Sequence, residues 1–154
     1  MRRAGPRALG LAAALLLLCS GGALRAQERA PDSPVGLWET ISDVDGKPKG
    51  HIRIREAEGE LRGTVEAILD PAKRDKRCES CSDERRDQPV LGMTVVNGMH
   101  RDGDHYGGGR ILDPDNGKVY SCKMTLVDGG KHLQVRGFIG FSLLGRTQTW
   151  NRLE

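Results

Sequence analysis

Cys78 and Cys81 enclose Glu79 and Ser80 within a strongly charged run, and this Cys-x-x-Cys pair is the sharpest chemical feature of the chain. Such a pair supports three chemistries. It closes a structural disulfide, it exchanges thiols when a helix N-terminus lowers the first thiol's pKa, or it supplies half of a tetrahedral zinc site. Here the surroundings are polar with no helical pattern, and His51, His100, His105 and His132 are scattered without a paired spacing. The leading expectation is a structural disulfide, joining Cys78 to Cys81 or one of them to Cys122. A redox site, a metal site and free thiols are the alternatives. Cys122 lies on an apolar row and reads equally as a small buried hydrophobe. With Asp75, Lys76, Arg77, Asp83, Glu84 and Arg85 around the pair, this segment is not expected to anchor itself by apolar burial.

Two further groups have side chains suited to binding. His100, Asp102, Asp104 and His105 crowd one hairpin, but Asp and Gly populate turns so commonly that a solvated turn is the better reading. No metal or other cofactor is assigned. Arg146, Gln148, Trp150 and Arg152 share one face of the last strand by alternation. Pointing inward, they set polar groups beneath an aliphatic wall to which Tyr120 and Met124 contribute. That mix suits a small apolar or amphiphilic ligand with its head at Arg146 and Gln148. An inward Arg146 then needs an acid, carbonyl groups or an anionic ligand beside it. Pointing outward, the same residues are merely solvated. The inward reading is preferred. No GxSxG, HExxH, phosphate-loop or dinucleotide signature occurs, and Gly107-Gly108-Gly109 opens no helix, so no catalytic residue is assigned and an enzyme is not expected.

The elements that must position these residues are short. No segment holds a helical period for ten residues; alternating runs suggest strands at about 35–43, 50–57, 60–69, 91–98, 104–112, 118–127, 131–140 and 145–152. Asp45-Gly46, Glu58-Gly59, Asn97-Gly98, Asp102-Gly103, Asn116-Gly117 and Asp128-Gly129-Gly130 are tight-turn signals between them. Eight antiparallel strands with glycines inside them suggest an all-β, up-and-down barrel, with a β-sandwich as the alternative. The expected inward rows are Leu61/Gly63/Val65/Ala67/Leu69, Tyr120/Cys122/Met124/Leu126 and Leu133/Val135/Gly137/Ile139, with Gly63 and Gly137 leaving gaps for a ligand. The single long connection, 70–90, is charged and carries the Cys-x-x-Cys pair.

Gly36-Leu37-Trp38 opens the first strand, and Trp150-Asn151-Arg152 closes the last, its neighbour in a closed barrel. A Trp covered by a late basic residue resembles the plug of the lipocalin and fatty-acid-binding (calycin) superfamily, with Gly36, Trp38, Trp150 and Arg152 in the structural roles. On that reading Trp38→Ala costs about 3–5 kcal/mol, and Arg152→Ala about 0.5–2 kcal/mol through cation–π contact alone. A resemblance across nearly the whole chain is carried by Gly36-Leu37-Trp38, Gly92-Met93, the run from Gly108 to Pro114, Gly117-Lys118-Val119-Tyr120, and the tail segments Leu133–Gly140 and Leu144–Trp150. On these motifs the chain resembles the exported bacterial family catalogued as domain of unknown function number 2147. The resemblance implies a small exported β-domain and transfers no catalytic residue.

The N-terminus bears on compartment. Arg2, Arg3 and Arg7 precede an apolar run, Ala8–Leu18, and small residues lead to Ala26, which reads as a secretory signal peptide at 1–26. A short tether, 27–34, and one barrel domain, 35–154, come after it. The apolar run is shorter than the roughly 18–20 residues that span a bilayer, so the mature protein is expected to be periplasmic or secreted with no transmembrane span. The leader holds four arginines and no acid, so its removal takes the net charge of the 154-residue chain from +3 to −1. That balance does not suit nucleic acid, whose binding needs clustered phosphate neutralisation. No oligomeric state is assigned. The leading function is an exported binding or carrier module; a structural or envelope-interaction protein with a filled barrel comes second, and a thiol redox or metal protein third.

Overall fold

The computed structural model describes Met1 and residues 32–154. The segment expected to be a signal peptide, Met1 apart, and most of the expected tether lie outside the described residues. Eight strands occur in chain order: β1 (Gly36–Ile41), β2 (Pro48–Ala57), β3 (Glu60–Ile68), β4 (Thr94–Asp102), β5 (His105–Asp113), β6 (Lys118–Val127), β7 (His132–Phe138) and β8 (Gly145–Arg152). Each pairs antiparallel with the next, and β8 returns to β1. The architecture is therefore the closed up-and-down barrel and not the sandwich.

Period-two alternation explains which residues fill it. Cys122 and Met124 are buried between half-exposed Ser121, Lys123 and Thr125, and Leu133 and Val135 alternate in the same way on β7. The centre is built from Trp38, Ile54, Val96, Met99, Met124, Leu133 and Trp150, all fully or almost fully buried.

Three expectations change. Opposite β2, the register of β3 shifts so that Ile52 pairs Val65 while His51 pairs Ala67, leaving Glu66 as an extra residue. A bulge of this kind reverses the facing of the residues beyond it. Ile68, not Ala67 or Leu69, therefore packs against the core. The fourth strand runs 94–102 and not 91–98, because Val90–Met93 turns back on itself (Met93 N–H to Val90 O, 3.1 Å) and Asn97-Gly98 is no hairpin. Gly98 instead takes φ 69° within β4, in the region where register against β3 shifts. Ile139 does not continue the β7 row, since that strand ends at Phe138 and Ile139 is exposed.

The up-and-down order gives the barrel two unlike ends. One carries the β2–β3, β4–β5 and β6–β7 turns together with the start and finish of the described domain. Trp38 seals this closed end. The other, the open end, carries the β1–β2, β3–β4, β5–β6 and β7–β8 connections.

The 70–90 connection is anchored, contrary to the expectation from its charge. Cys78 and Cys81 are bonded to each other, with Cα atoms 5.4 Å apart, and both are buried with Val90. Val95 and Leu112 are also buried, although alternation from the inward pair Val96 and Ile111 points them out of the barrel. The connection thus lies over the outer wall of β4–β6, and the disulfide itself is part of the apolar anchor. Gly117 takes φ 71° in the β5–β6 turn with the Ser80 carbonyl against it, so a side chain there would displace the connection. Asp115 in the same turn takes ion pairs from Lys49 and Lys76. Burial pushes its carboxyl up, but hydrogen bonds from the two lysines outweigh that and bring it down to about 2.

Candidate functional site

The residues assigned to ligand binding separate into two environments. Met124 belongs to the solid centre. The gap expected at Gly63 is occupied, since a Cβ there would lie 3.0 Å from Val96 Cβ and 3.2 Å from Ile52 Cγ2. At Gly137 the space is taken by Tyr120 and Ile111, each 3.5 Å from where a Cβ would sit. Tyr120 stands higher, toward the open end, and its hydroxyl accepts a hydrogen bond from Asn116 Nδ2 at 3.2 Å.

Arg146, Gln148 and Trp150 succeed one another on the inward parity of β8, with Trp150 in the core and Arg146 at the rim. Trp150 Nε1 donates to Gln148 Oε1 at 3.3 Å, and Gln148 Nε2 donates to Asp43 Oδ2 at 2.6 Å. Arg146 Nη1 lies 3.2 Å from the same Asp43 oxygen. Asp43, from the β1–β2 connection, is thus the acid beside Arg146, whose side chain is 66% exposed at the rim and not enclosed in the barrel. Sequence alone does not single out Asp43; Asp45-Gly46 reads as turn chemistry, and the pairing spans more than 100 residues.

This latch crosses the weakest seam of the barrel. β1 and β8 pair only at Trp38–Arg152 and Glu39–Asn151, whereas β7 and β8 pair along seven positions. Beyond Glu39 the two strands part, and an open groove of about 470 Å³ lies on the outer wall between Ile41 and Asp43 on one side and Thr147, Gln148 and Thr149 on the other. The groove offers apolar Ile41 and Val127 beside polar Gln148, Asp43 and His132.

At the closed end Trp38 donates its Nε1–H to Pro34 O at 2.7 Å, and the Arg152 guanidinium stands over its ring, 4.2 Å from the centroid. Gly36 takes φ 145°, and a Cβ there would collide with the Glu154 carbonyl and Arg152 Nη1. Only glycine passes between the plug and the chain end. The carbonyl partners of Arg152 are not legible from sequence, because backbone acceptors have no residue signature.

The remaining candidates stay apart. Cys122 is free and buried, and burial pushes its thiol up to about 12, which suppresses thiolate chemistry. His105 sits between Asp102 (3.4 Å) and Asp104 (3.1 Å) at the tip of β4–β5, with the hydrogen bond to His105 holding the Asp104 carboxyl below its usual range. His100 turns toward Glu60 instead. Among the described residues no group of three or more His, Cys, Asp or Glu is placed to hold a metal ion, and no helix is long and apolar enough to cross a membrane.

A closed eight-stranded antiparallel barrel with Trp38 and Arg152 stacked at one end is a lipocalin-like barrel. One solved structure with this fold is protein HP1028 from the human pathogen Helicobacter pylori, described as belonging to the lipocalin family. The two are 19% identical with a TM-score of 0.69, covering 79% of this chain and 84% of that one. At that identity the likeness is one of fold. Residues 36–152 match the family model described as "Uncharacterized protein conserved in bacteria (DUF2147)", and the chain belongs to that family. No curated protein sequence matches it.

Proposed function

We propose that this is an exported binding protein whose filled barrel is a rigid scaffold and whose open end makes the contacts. The observation that carries this is the solid centre: Trp38, Ile54, Val96, Met99, Met124, Leu133 and Trp150 leave almost no surface to a water-sized neighbour. An eight-stranded barrel has room either for one small ligand or for its own side chains, and here the side chains take it. The buried Cys78–Cys81 disulfide and the Arg-led apolar start support export to an oxidising compartment. The test is titration of delipidated protein with a fluorescent fatty acid. The expected result is no saturable binding that quenches Trp150; micromolar binding with such quenching would overturn the filled-barrel reading.

The seam groove favours a second reading. Its volume of about 470 Å³ falls within the roughly 300–1,000 Å³ typical of small-molecule sites, and its polar end is Gln148 and Asp43. A small amphiphile there would bind without entering the centre. Saturable binding lost in Thr149→Trp, with Trp150 fluorescence unmoved, would establish this; binding indifferent to Thr149→Trp would dismiss it.

A further inference from the structure

The β7–β8 connection is the outlier of the surface. From Gly137 to Gly145 the chain runs nine residues without a charge, in a sequence 29% charged. Ile139, Phe141, Leu143 and Leu144 are 64%, 78%, 88% and 76% exposed. Scattered exposed apolar side chains are ordinary; four on one short turn mark a contact surface. The turn is held from within. Arg136 donates from Nε to Ser142 O (2.5 Å), from Nη2 to Leu143 O (3.2 Å) and from Nη1 to Thr147 Oγ1 (2.9 Å), while Leu144 N–H donates to Phe141 O (3.0 Å). The arginine thus fixes the backbone of the turn and leaves its apolar side chains directed outward.

We infer that the Ile139–Leu144 tip seats the open end of the barrel on an anionic lipid surface. Three observations select this occupant. First, the carbonyls of Phe141, Ser142 and Leu143 take donors from Leu144 N–H and Arg136, which fixes the turn so that its backbone can rest at the hydrated headgroup level while only its apolar side chains enter the acyl region. Second, Arg136 and Arg146 bracket the charge-free run at its two bases, where a tip in the acyl region would leave them level with phosphate headgroups. Asp43 neutralises one of these cations in part, and the other keeps its charge with no acid on its guanidinium among the described residues. Third, four side chains of this size expose on the order of 500 Å² of apolar surface on one charge-free run flanked by cations, and attachment to an anionic lipid surface scales with buried apolar area plus attraction to the headgroups. Val44, 96% exposed on the β1–β2 connection of the same end, extends the patch.

This inference rests on the open end being the contact surface, and its test is independent of what fills the barrel. The full chain carrying Cys19→Ser, used as the background for every variant here, and Leu143→Cys is labelled with an environment-sensitive maleimide; Cys122, being buried, and the bonded Cys78 and Cys81 do not compete. Asp104→Cys, 97% exposed at the closed end, serves as the control position. With phosphatidylglycerol/phosphatidylcholine vesicles, the label at 143 should brighten and shift to the blue while the label at 104 does not. Phe141→Ser/Leu144→Ser should lower the apparent partition coefficient at least tenfold, with the unfolding curve unchanged because these side chains support no core. Pure phosphatidylcholine should bind more weakly. No change at 143, equal changes at both positions, or an unaltered partition coefficient in the double variant would overturn the inference. So would a blue shift that tracks protein concentration without vesicles, which would assign the tip to a second copy of the chain. Quenching of Trp150 by a fatty acid would instead count against the filled barrel and leave the vesicle result standing.

Discussion

Removing Arg152 should damage the closed end about as much as removing Trp38, although cation–π contact alone gives it the smaller share. The Arg152 guanidinium donates to four carbonyls and so ties the chain end to the entry segment and to the β6–β7 turn: Nε donates to Gly130 O at 2.6 Å, Nη2 to Ser33 O at 2.7 Å, and Nη1 to Val35 O at 2.9 Å and Glu154 O at 3.1 Å. The bonds to Gly130 and Ser33 are partly buried, and hydrogen bonds from charged donors contribute about 1.5–3 kcal/mol each. The two exposed bonds compete with water and add little. The stacking on Trp38 adds about 0.5–1 kcal/mol. Burial also lowers the Arg152 pKa, a desolvation cost that offsets part of this gain. The balance puts Arg152→Ala at about 3 kcal/mol, beside about 3–5 kcal/mol for emptying the Trp38 site. Arg152→Lys keeps a cation over the ring but cannot reach all these carbonyls from one nitrogen, so it should recover about a third of the loss. Urea unfolding monitored by tryptophan fluorescence measures all three variants, with Trp150 as the probe in Trp38→Ala. A loss below about 1 kcal/mol for Arg152→Ala, or full recovery by Arg152→Lys, would refute the reasoning.

Three further outcomes are expected. Among residues 32–154, thiol titration should find no reactive cysteine in the folded protein and one, Cys122, after unfolding without reductant; Cys78→Ala/Cys81→Ala should cost only about 1–2 kcal/mol, because the bond closes a very small loop. Asp115→Asn should cost about 0.5–1 kcal/mol at pH 7, its lysine partners being half exposed. Since folding depresses this carboxyl, the stabilisation is present above pH 3.8 and is lost as the pH falls from there through about 2, so melts of the two proteins should converge in that window. Intact mass of the exported protein should correspond to a chain beginning at Gln27, and a mass retaining residues 1–26 or a lipid on Cys19 would contradict cleavage.

The parts of the fold legible in the sequence are those written in nearest-neighbour chemistry. Asp-Gly and Asn-Gly pairs mark turns because they accept positive φ, and Lys-Met-Thr-Leu alternation on β6 marks which side chains go inward. Sequence misleads where one local signal serves two structures. Asn97-Gly98 reads as a hairpin, yet a glycine at positive φ serves a bulge equally well. The bulge at Glu66 cannot be seen from β3 alone, because it exists only relative to the register of β2. Gly63 reads as a gap because the row on its own strand is blank there, while Val96 on the next strand fills the space. The Arg146–Asp43–Gln148 latch needs closure of the barrel to bring its ends together. The apolar tip is visible as residues but merges with the β7 row by alternation, and only the end of pairing at Phe138 sets it outside the wall.

Xenon uptake in crystals tests the filled barrel most directly. Apolar cavities of adequate size bind xenon, whereas a close-packed interior does not. Wild-type protein under xenon pressure should show no site in the barrel centre, and Met124→Ala, which empties a fully buried position among Trp38, Met99, Leu133 and Trp150, should show one. Xenon bound in the centre of the wild-type barrel would contradict the claim that the protein's own side chains fill it.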